Sequence, residues 1–255
     1  MALLKTEAIV LKASDYSEST RLVTLFSPDH GRLRVLAKGI KRIQSRDRGA
    51  LEPFSRVQVS LHLKDPTALG TLRESTLLST PSALRNDYNR WLLASLVLEV
   101  IDRATLPGED LHGLFHTVSA YLDEMNTTQR PAEVTLAALA AMLDWFGFGP
   151  EFGACGVCGG EGPFAGFRID KCSVACERCA GGSAHFQPLP PGTVRVLEHL
   201  LRRGDAAAAN LRIAGPQLDQ LFLLLVALLQ YHLEITLTTA RMLAVSPVRS
   251  GFAAS

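Results

Sequence analysis

Cys155-Gly156-Val157-Cys158 and Cys176-Glu177-Arg178-Cys179, seventeen residues apart, are paired Cys-x-x-Cys turns, and their reading decides how the second half of the chain is held together. Each turn aims two sulfurs at one point, so the two together supply the tetrahedral thiolate shell that a structural Zn²⁺ takes. Four thiolates leave no position for water or substrate. The spacing therefore predicts one metal ion that holds the fold and does no chemistry. Cys172 could replace Cys176 only by trading a two-residue spacer for a longer one, and it reads as a bystander. Disulfides or unrelated buried thiols are the alternative, but all five cysteines fall between residues 155 and 179. Gly156, Gly159, Gly160, Gly162, Gly166, Gly181 and Gly182 leave little apolar material there, so the stretch should be loose without metal.

Outward from the cysteines, 255 residues with 47% hydrophobic content can bury a large core in one domain or two. The first residues, Met1-Ala2-Leu3-Leu4-Lys5-Thr6-Glu7, alternate like a strand and form no signal-peptide core. The longest apolar run, Leu221 to Leu229, is nine residues and well short of the ~20 needed to span a bilayer. Free thiols with metal and no secretory signal predict a reducing cytoplasm and no membrane association. The net charge of +1 hides a split. Residues 1–80 carry 13 Lys/Arg against 8 Asp/Glu, whereas residues 81–255 carry 13 against 17. A basic lobe on a mildly acidic body points to a polyanionic partner for the first part.

Residues 3–12, 20–27, 32–38, 56–64 and 69–78 read as five short strands. In the fourth, Val57, Val59, Leu61 and Leu63 alternate with Gln58, Ser60, His62 and Lys64, so one face is core and the other is wet. Five strands in about 80 residues fit a small closed barrel of the OB type, with an SH3-like barrel as the rival. In the third strand Arg32, Arg34 and Lys38 share the face opposite Leu33, Val35 and Ala37. The chain then runs through Lys38, Lys41, Arg42, Arg46 and Arg48 against one acid, Asp47. This basic segment can track a phosphate backbone, or it can be a surface kept polar for solubility. Tyr16, Phe26 and Phe54 are the aromatics available for base stacking, and each reads first as core.

From Pro81 the apolar period becomes helical. Leu84, Tyr88, Trp91-Leu92, Ser95-Leu96 and Glu99-Val100 form one stripe, and Leu111 to Met125 a second, with Asp110 as its expected N-cap. A third helix starts at Pro131 and delivers the chain to the cysteines. Beyond them, Pro188–Pro191 is a linker, 193–203 a short helix and 216–243 one long buried helix. The fold class is thus α+β: a five-stranded OB-type barrel over 1–80, then a helical domain over 81–255 with a zinc-binding insert at about 151–187. His112 and His116 have metal-ligand spacing but no acidic third ligand, and read as a surface or half-buried pair. His232-Leu233-Glu234 follows the cysteines where a zinc deaminase would have it precede them, and reads as a polar patch. With no phosphate loop, His-Glu-x-x-His or Gly-x-Ser-x-Gly motif, catalysis is not expected.

Taken in order, Glu7-Ala8-Ile9-Val10-Leu11-Lys12, Tyr16, Glu18, Arg21, Thr24-Leu25-Phe26-Ser27, Gly31, Lys38-Gly39-Ile40-Lys41-Arg42, Ser45, Gly49, Leu51-Glu52-Pro53-Phe54 and Leu69-Gly70-Thr71-Leu72 resemble the bacterial RecO family of recombination mediators. Glu99, Leu114-Phe115, Phe146-Gly147-Phe148-Gly149-Pro150 and the cysteines extend the resemblance over almost the whole chain. It implies an OB barrel, a helical body and a zinc knuckle, and a function without turnover. Such proteins bind single- and double-stranded DNA and anneal complementary strands. With RecR they help RecA displace single-strand-binding protein. The implied DNA-binding positions are Lys38, Lys41 and Arg42, with Arg46 and Arg48 nearby and Arg32 and Arg34 more weakly. The departure is Cys172, where relatives commonly have glycine. A nucleic-acid-processing enzyme and a zinc-ribbon transcription regulator are the rival readings.

Overall fold

The computed structural model describes residues 2–39, 50–203 and 212–245, which form two compact units, Met1–Thr127 and Thr128–Ser255. In the first unit, β1 (Ala2–Asp15), β2 (Thr20–Ser27), β3 (Gly31–Lys38), β4 (Arg56–Leu63) and β5 (Gly70–Ser79) pair in the order β1-β2-β3-β5-β4, and β4 returns to β1. This is the OB connectivity, with every pairing antiparallel except β3–β5. The parallel seam consists of two residue pairs, Val35 with Gly70 and Leu36 with Thr71, so the ring closes thinly there.

Strand alternation fills the barrel. Ala8, Val10, Val23, Leu25, Leu33, Val35, Val57, Val59 and Leu61 pack inside, with Ala50 and Leu51 closing the cluster. Fully burying each Val or Leu contributes about 1.5–3 kcal/mol. The β2–β3 turn needs Gly31, because its φ is +58° and a Cβ there would overlap the carbonyl of Leu106. That carbonyl also accepts from the Arg32 N–H, at 3.2 Å.

Among the described residues, three helices complete this unit: α1 (Ser82–Asn86), α2 (Tyr88–Ala104) and α3 (His112–Met125). Asp87 caps α2, its carboxylate accepting from the N–H groups of Asn89 and Arg90. For α3 the expected cap is corrected. Leu111 holds the cap position without a side-chain bond, and Asp110 lies outside it. Phe26, on the outside of the barrel, meets Phe115 with ring centroids 5.7 Å apart, which fixes α3 on that wall. Two residues assigned to the apolar stripe of α2 are also corrected: Tyr88 and Trp91 stack on each other at the surface.

In the second unit, α4 (Pro131–Trp145) is buried along most of its length and packs on α6 (Pro191–Arg203) and α7 (Gly215–His232). The stretch expected as one helix to Leu243 is two. Leu233 ends α7, Glu234 turns left-handed at φ 54°, and α8 starts at Thr238 and runs to Val245. Gln230 makes the break, its carbonyl accepting from the Ile235 N–H and its side-chain oxygen from the Leu237 N–H. Between α4 and α6 a small antiparallel sheet, with β6 (Phe164–Arg168) between β7 (Ser173–Cys176) and β8 (Phe186–Pro188), carries the cysteines together with the one-turn α5 (Glu177–Ala180). No described helix is long and apolar enough to cross a membrane.

Candidate metal centre and nucleic-acid interface

Cys155 and Cys158 lie in a turn closed by the Gly159 N–H on the Cys155 carbonyl, at 2.8 Å. Cys176 ends β7 and Cys179 lies in α5. The two turns are joined by the Gly156 N–H on the Val174 carbonyl, at 3.0 Å, and a Cβ on Gly156 would overlap the hydroxyl of Ser173. A side chain at 156 would therefore push the turns apart. All four sulfurs lie within 4.8 Å of one another, and Cys158 Sγ is 3.8 Å from Cys176 Sγ. A tetrahedron with Zn–S arms of about 2.3 Å has edges of about 3.8 Å, so the donor set and its spacing fit zinc.

Electrostatics points the same way. Burial works against ionising Cys155, but the N–H groups of Cys176, Cys158 and Val157 outweigh it and bring the thiol down to about 6. Cys158, then burial and Cys176, push Cys179 up to about 12. Four thiolates cannot coexist at this spacing without positive charge, and a divalent ion supplies it. Cys172 lies outside the cluster. Its Sγ donates to the Phe148 carbonyl at 3.0 Å, burial pushes its thiol up to about 12, and its backbone is left-handed at φ 46°. Left-handed backbone is where glycine is most at ease, which accounts for the residue expected there from the family resemblance.

His232, read from the sequence as part of a polar patch, brackets the knuckle. Its Nε2 bonds the Ile169 carbonyl at 2.8 Å and its ring stacks on Phe148 at 4.8 Å, while Glu234 is exposed. His112 bonds Asp29 at 2.8 Å and His116 is exposed. Among the described residues, the four cysteines are the group of three or more candidate ligands able to hold a metal ion.

On the barrel, the outer face of β3 separates its cations. Arg32 donates to the Asp102 carbonyl and lies 3.7 Å from the Asp102 carboxylate, which Lys12 also meets at 2.6 Å. It is turned toward α2. Arg34 and Lys38 are exposed and have no ion-pair partner among the described residues. Lys41, Arg42, Arg46 and Arg48 lie outside the described residues. Sequence reasoning missed Arg73. Carrying the Leu36–Thr71 register two residues further brings Lys38 level with Arg73, which is exposed. Arg73 lies where β5 bulges against β4, and only the parallel seam brings that stretch of β5 to the end of β3. Phe26 and Phe54 are core as expected, at 0% and 4% exposure, whereas Tyr16 is 63% exposed, against its expected place in the core.

The architecture defines a class: an OB-barrel protein whose second unit carries a four-cysteine knuckle suited to a structural metal. Within that class, the descriptions "Recombination protein O N terminal" and "Recombination protein O C terminal" match residues 1–81 and 85–241. The chain belongs to the recombination protein O family, and its role lies in DNA repair and recombination. It is 32% identical over 244 residues to the DNA repair protein RecO of Anaeromyxobacter sp. (strain K), covering 94% of this chain and 95% of the relative. The DNA repair protein RecO of Geobacter sulfurreducens is 31% identical over 221 residues, 85% of this chain and 90% of the relative. That of Bacillus subtilis (strain 168) is 29% identical over 195 residues, 76% of each chain.

Proposed function

We propose that this protein is a DNA-binding recombination mediator that acts without turnover. It binds single- and double-stranded DNA, anneals complementary strands and, with RecR, helps load RecA onto DNA covered by single-strand-binding protein. Residues 1–80 are the nucleic-acid module, and residues 81–255 are the helical domain, with one structural Zn²⁺ in the insert at about 151–187 held by Cys155, Cys158, Cys176 and Cys179. The protein works in the cytoplasm, on the nucleoid. The observation that carries this reading is the pair Arg34 and Lys38, exposed and without an ion-pair partner among the described residues, on a strand that runs directly into the segment bearing Lys41, Arg42, Arg46 and Arg48. Arg32 contributes more weakly because Asp102 already engages it.

Annealing brings two repelling phosphate backbones together while leaving base edges free, so contacts run mainly to phosphate and show little sequence preference. The test is strand annealing by zinc-replete protein, with bare complementary strands and with strands coated by single-strand-binding protein, in the presence and absence of RecR. Accelerated annealing without nucleotide cofactor is expected. Failure to bind DNA overturns the reading, as does DNA cleavage that co-purifies quantitatively and is abolished by a point change in the chain.

A further inference from the structure

Tyr16 begins the turn between β1 and β2, and its N–H donates to the Thr20 carbonyl at 3.0 Å. Thr20 pairs with Lys38 across β2–β3. Tyr16, Thr20 and Lys38 thus form one row across the barrel wall, and Arg73 lies on β5 two residues beyond the Leu36–Thr71 pair, at a register shift against β4. The neighbouring row is Ser14, Leu22, Leu36 and Thr71, in which Leu22 and Leu36 are half-exposed. Alternation puts both rows on the outside, since Ala37, between them, and Val23 and Val35, just beyond, face the core. Neighbouring strands lie about 4.8 Å apart, so Tyr16 and Lys38 are about 10 Å apart. A wet aromatic, a half-exposed apolar strip and three cations without described ion-pair partners, Arg34, Lys38 and Arg73, therefore share one surface. The nearby acids are Asp15, which faces Arg21 at 3.4 Å, Glu18, exposed in the same turn, and Glu74, exposed and next to Arg73 at the register shift between β4 and β5.

Cations alone would suit any polyanion, duplex included. An exposed phenol ring beside them adds a surface for a flat, unpaired base, which a duplex keeps inside its stack. We propose that Tyr16 is a base-stacking residue specific for single-stranded nucleic acid, with Lys38 and Arg73 holding the phosphates that flank the stacked base. This rests on the DNA-binding reading above and assigns its strand preference to one ring.

The test measures binding of full-length, zinc-replete protein to three probes: an oligonucleotide, the same strand with abasic sites, and its duplex. Tyr16→Ala should weaken binding of the base-bearing strand by about 5- to 150-fold with its salt slope unchanged. Abasic strand and duplex should bind as in the parent, and Tyr16→Phe should restore the single-strand affinity. Arg73→Gln should instead lower the salt slope by about 0.7 on every single-stranded probe, abasic included. Equal loss on abasic and base-bearing strands after Tyr16→Ala would overturn the stacking role while leaving DNA binding intact. Parent protein that binds none of the three probes would overturn the DNA-binding reading and this inference with it.

Discussion

Replacing Arg34 and Lys38 together by Gln removes two charges whose side chains are exposed and outside the barrel core, so the fold should lose little. Each phosphate contact contributes about 0.7 to the slope of log K against log salt for single strands. If both residues contact phosphate, the slope flattens by about 1.4, and at 0.1 M salt the affinity falls by about 1.4 log units, roughly 25-fold. Near 1 M salt the two lines should meet, because counterion release then provides little drive. The assay is fluorescence anisotropy on a mixed-sequence single strand from 0.05 to 1 M salt, with zinc content and melting temperature as folding controls. Arg32→Gln is the internal contrast. It removes a donor to the partly buried Asp102 carbonyl, so it should cost about 1–3 kcal/mol of stability with a much smaller change in slope. A double variant whose line runs parallel to the parent's, with the same slope, would show that the outer face of β3 is only a solvated surface.

Cys176→Ser should abolish stoichiometric zinc and destabilise the second unit, whereas Cys172→Ser should leave zinc content unchanged; loss of zinc from the Cys172 variant would reverse the ligand assignment. Asp87→Ala removes the acceptor for two N–H groups at the start of α2 and should lower stability by about 1 kcal/mol in denaturant melts, an unchanged midpoint refuting the capping role.

The sequence was most legible where chemistry or period is local. Two Cys-x-x-Cys turns announce their geometry within four residues, and alternation in β3 and β4 marks the core side of the barrel, although Ser60, on the face of β4 expected to be wet, is buried. Contacts between distant positions were hidden. Nothing near Arg32 in the chain reveals that Asp102, seventy residues on, would engage it. Nor could strand patterns place the start of β5 beside the end of β3, since a parallel seam needs the three-dimensional register. The helix break after His232 was masked because Leu233, Ile235 and Leu237 continue an apolar pattern, while the break depends on the backbone and side chain of Gln230. The three short strands around the cysteines have too few apolar residues to signal themselves, because the sulfur cluster and the turns around it organise them. Tyr88 and Trp91 fit a helical stripe by spacing, yet Trp91 meets the core only edge-on at Phe54 and Tyr88 stacks on its outer side, which spacing cannot report.

The carboxylate of Asp102 also shapes how the first unit looks to an approaching polyanion. Lys12 and Arg32 are both drawn to it, Arg21 is held by Glu52 and Asp15, and Arg56 by Glu7 and Asp123. Paired charges of this kind fade as dipoles within a Debye length of about 8–10 Å. Among the described residues of the barrel, Lys5, Arg34, Lys38, Lys64 and Arg73 remain as exposed single charges, and three of them share the β3–β5 edge. The cations left unpaired among the described residues are therefore concentrated on one side, and under the proposed function that side would draw a diffusing strand before it touches the surface. Neutralising the edge acts on the rate of productive encounter, in addition to the lifetime of the complex that follows.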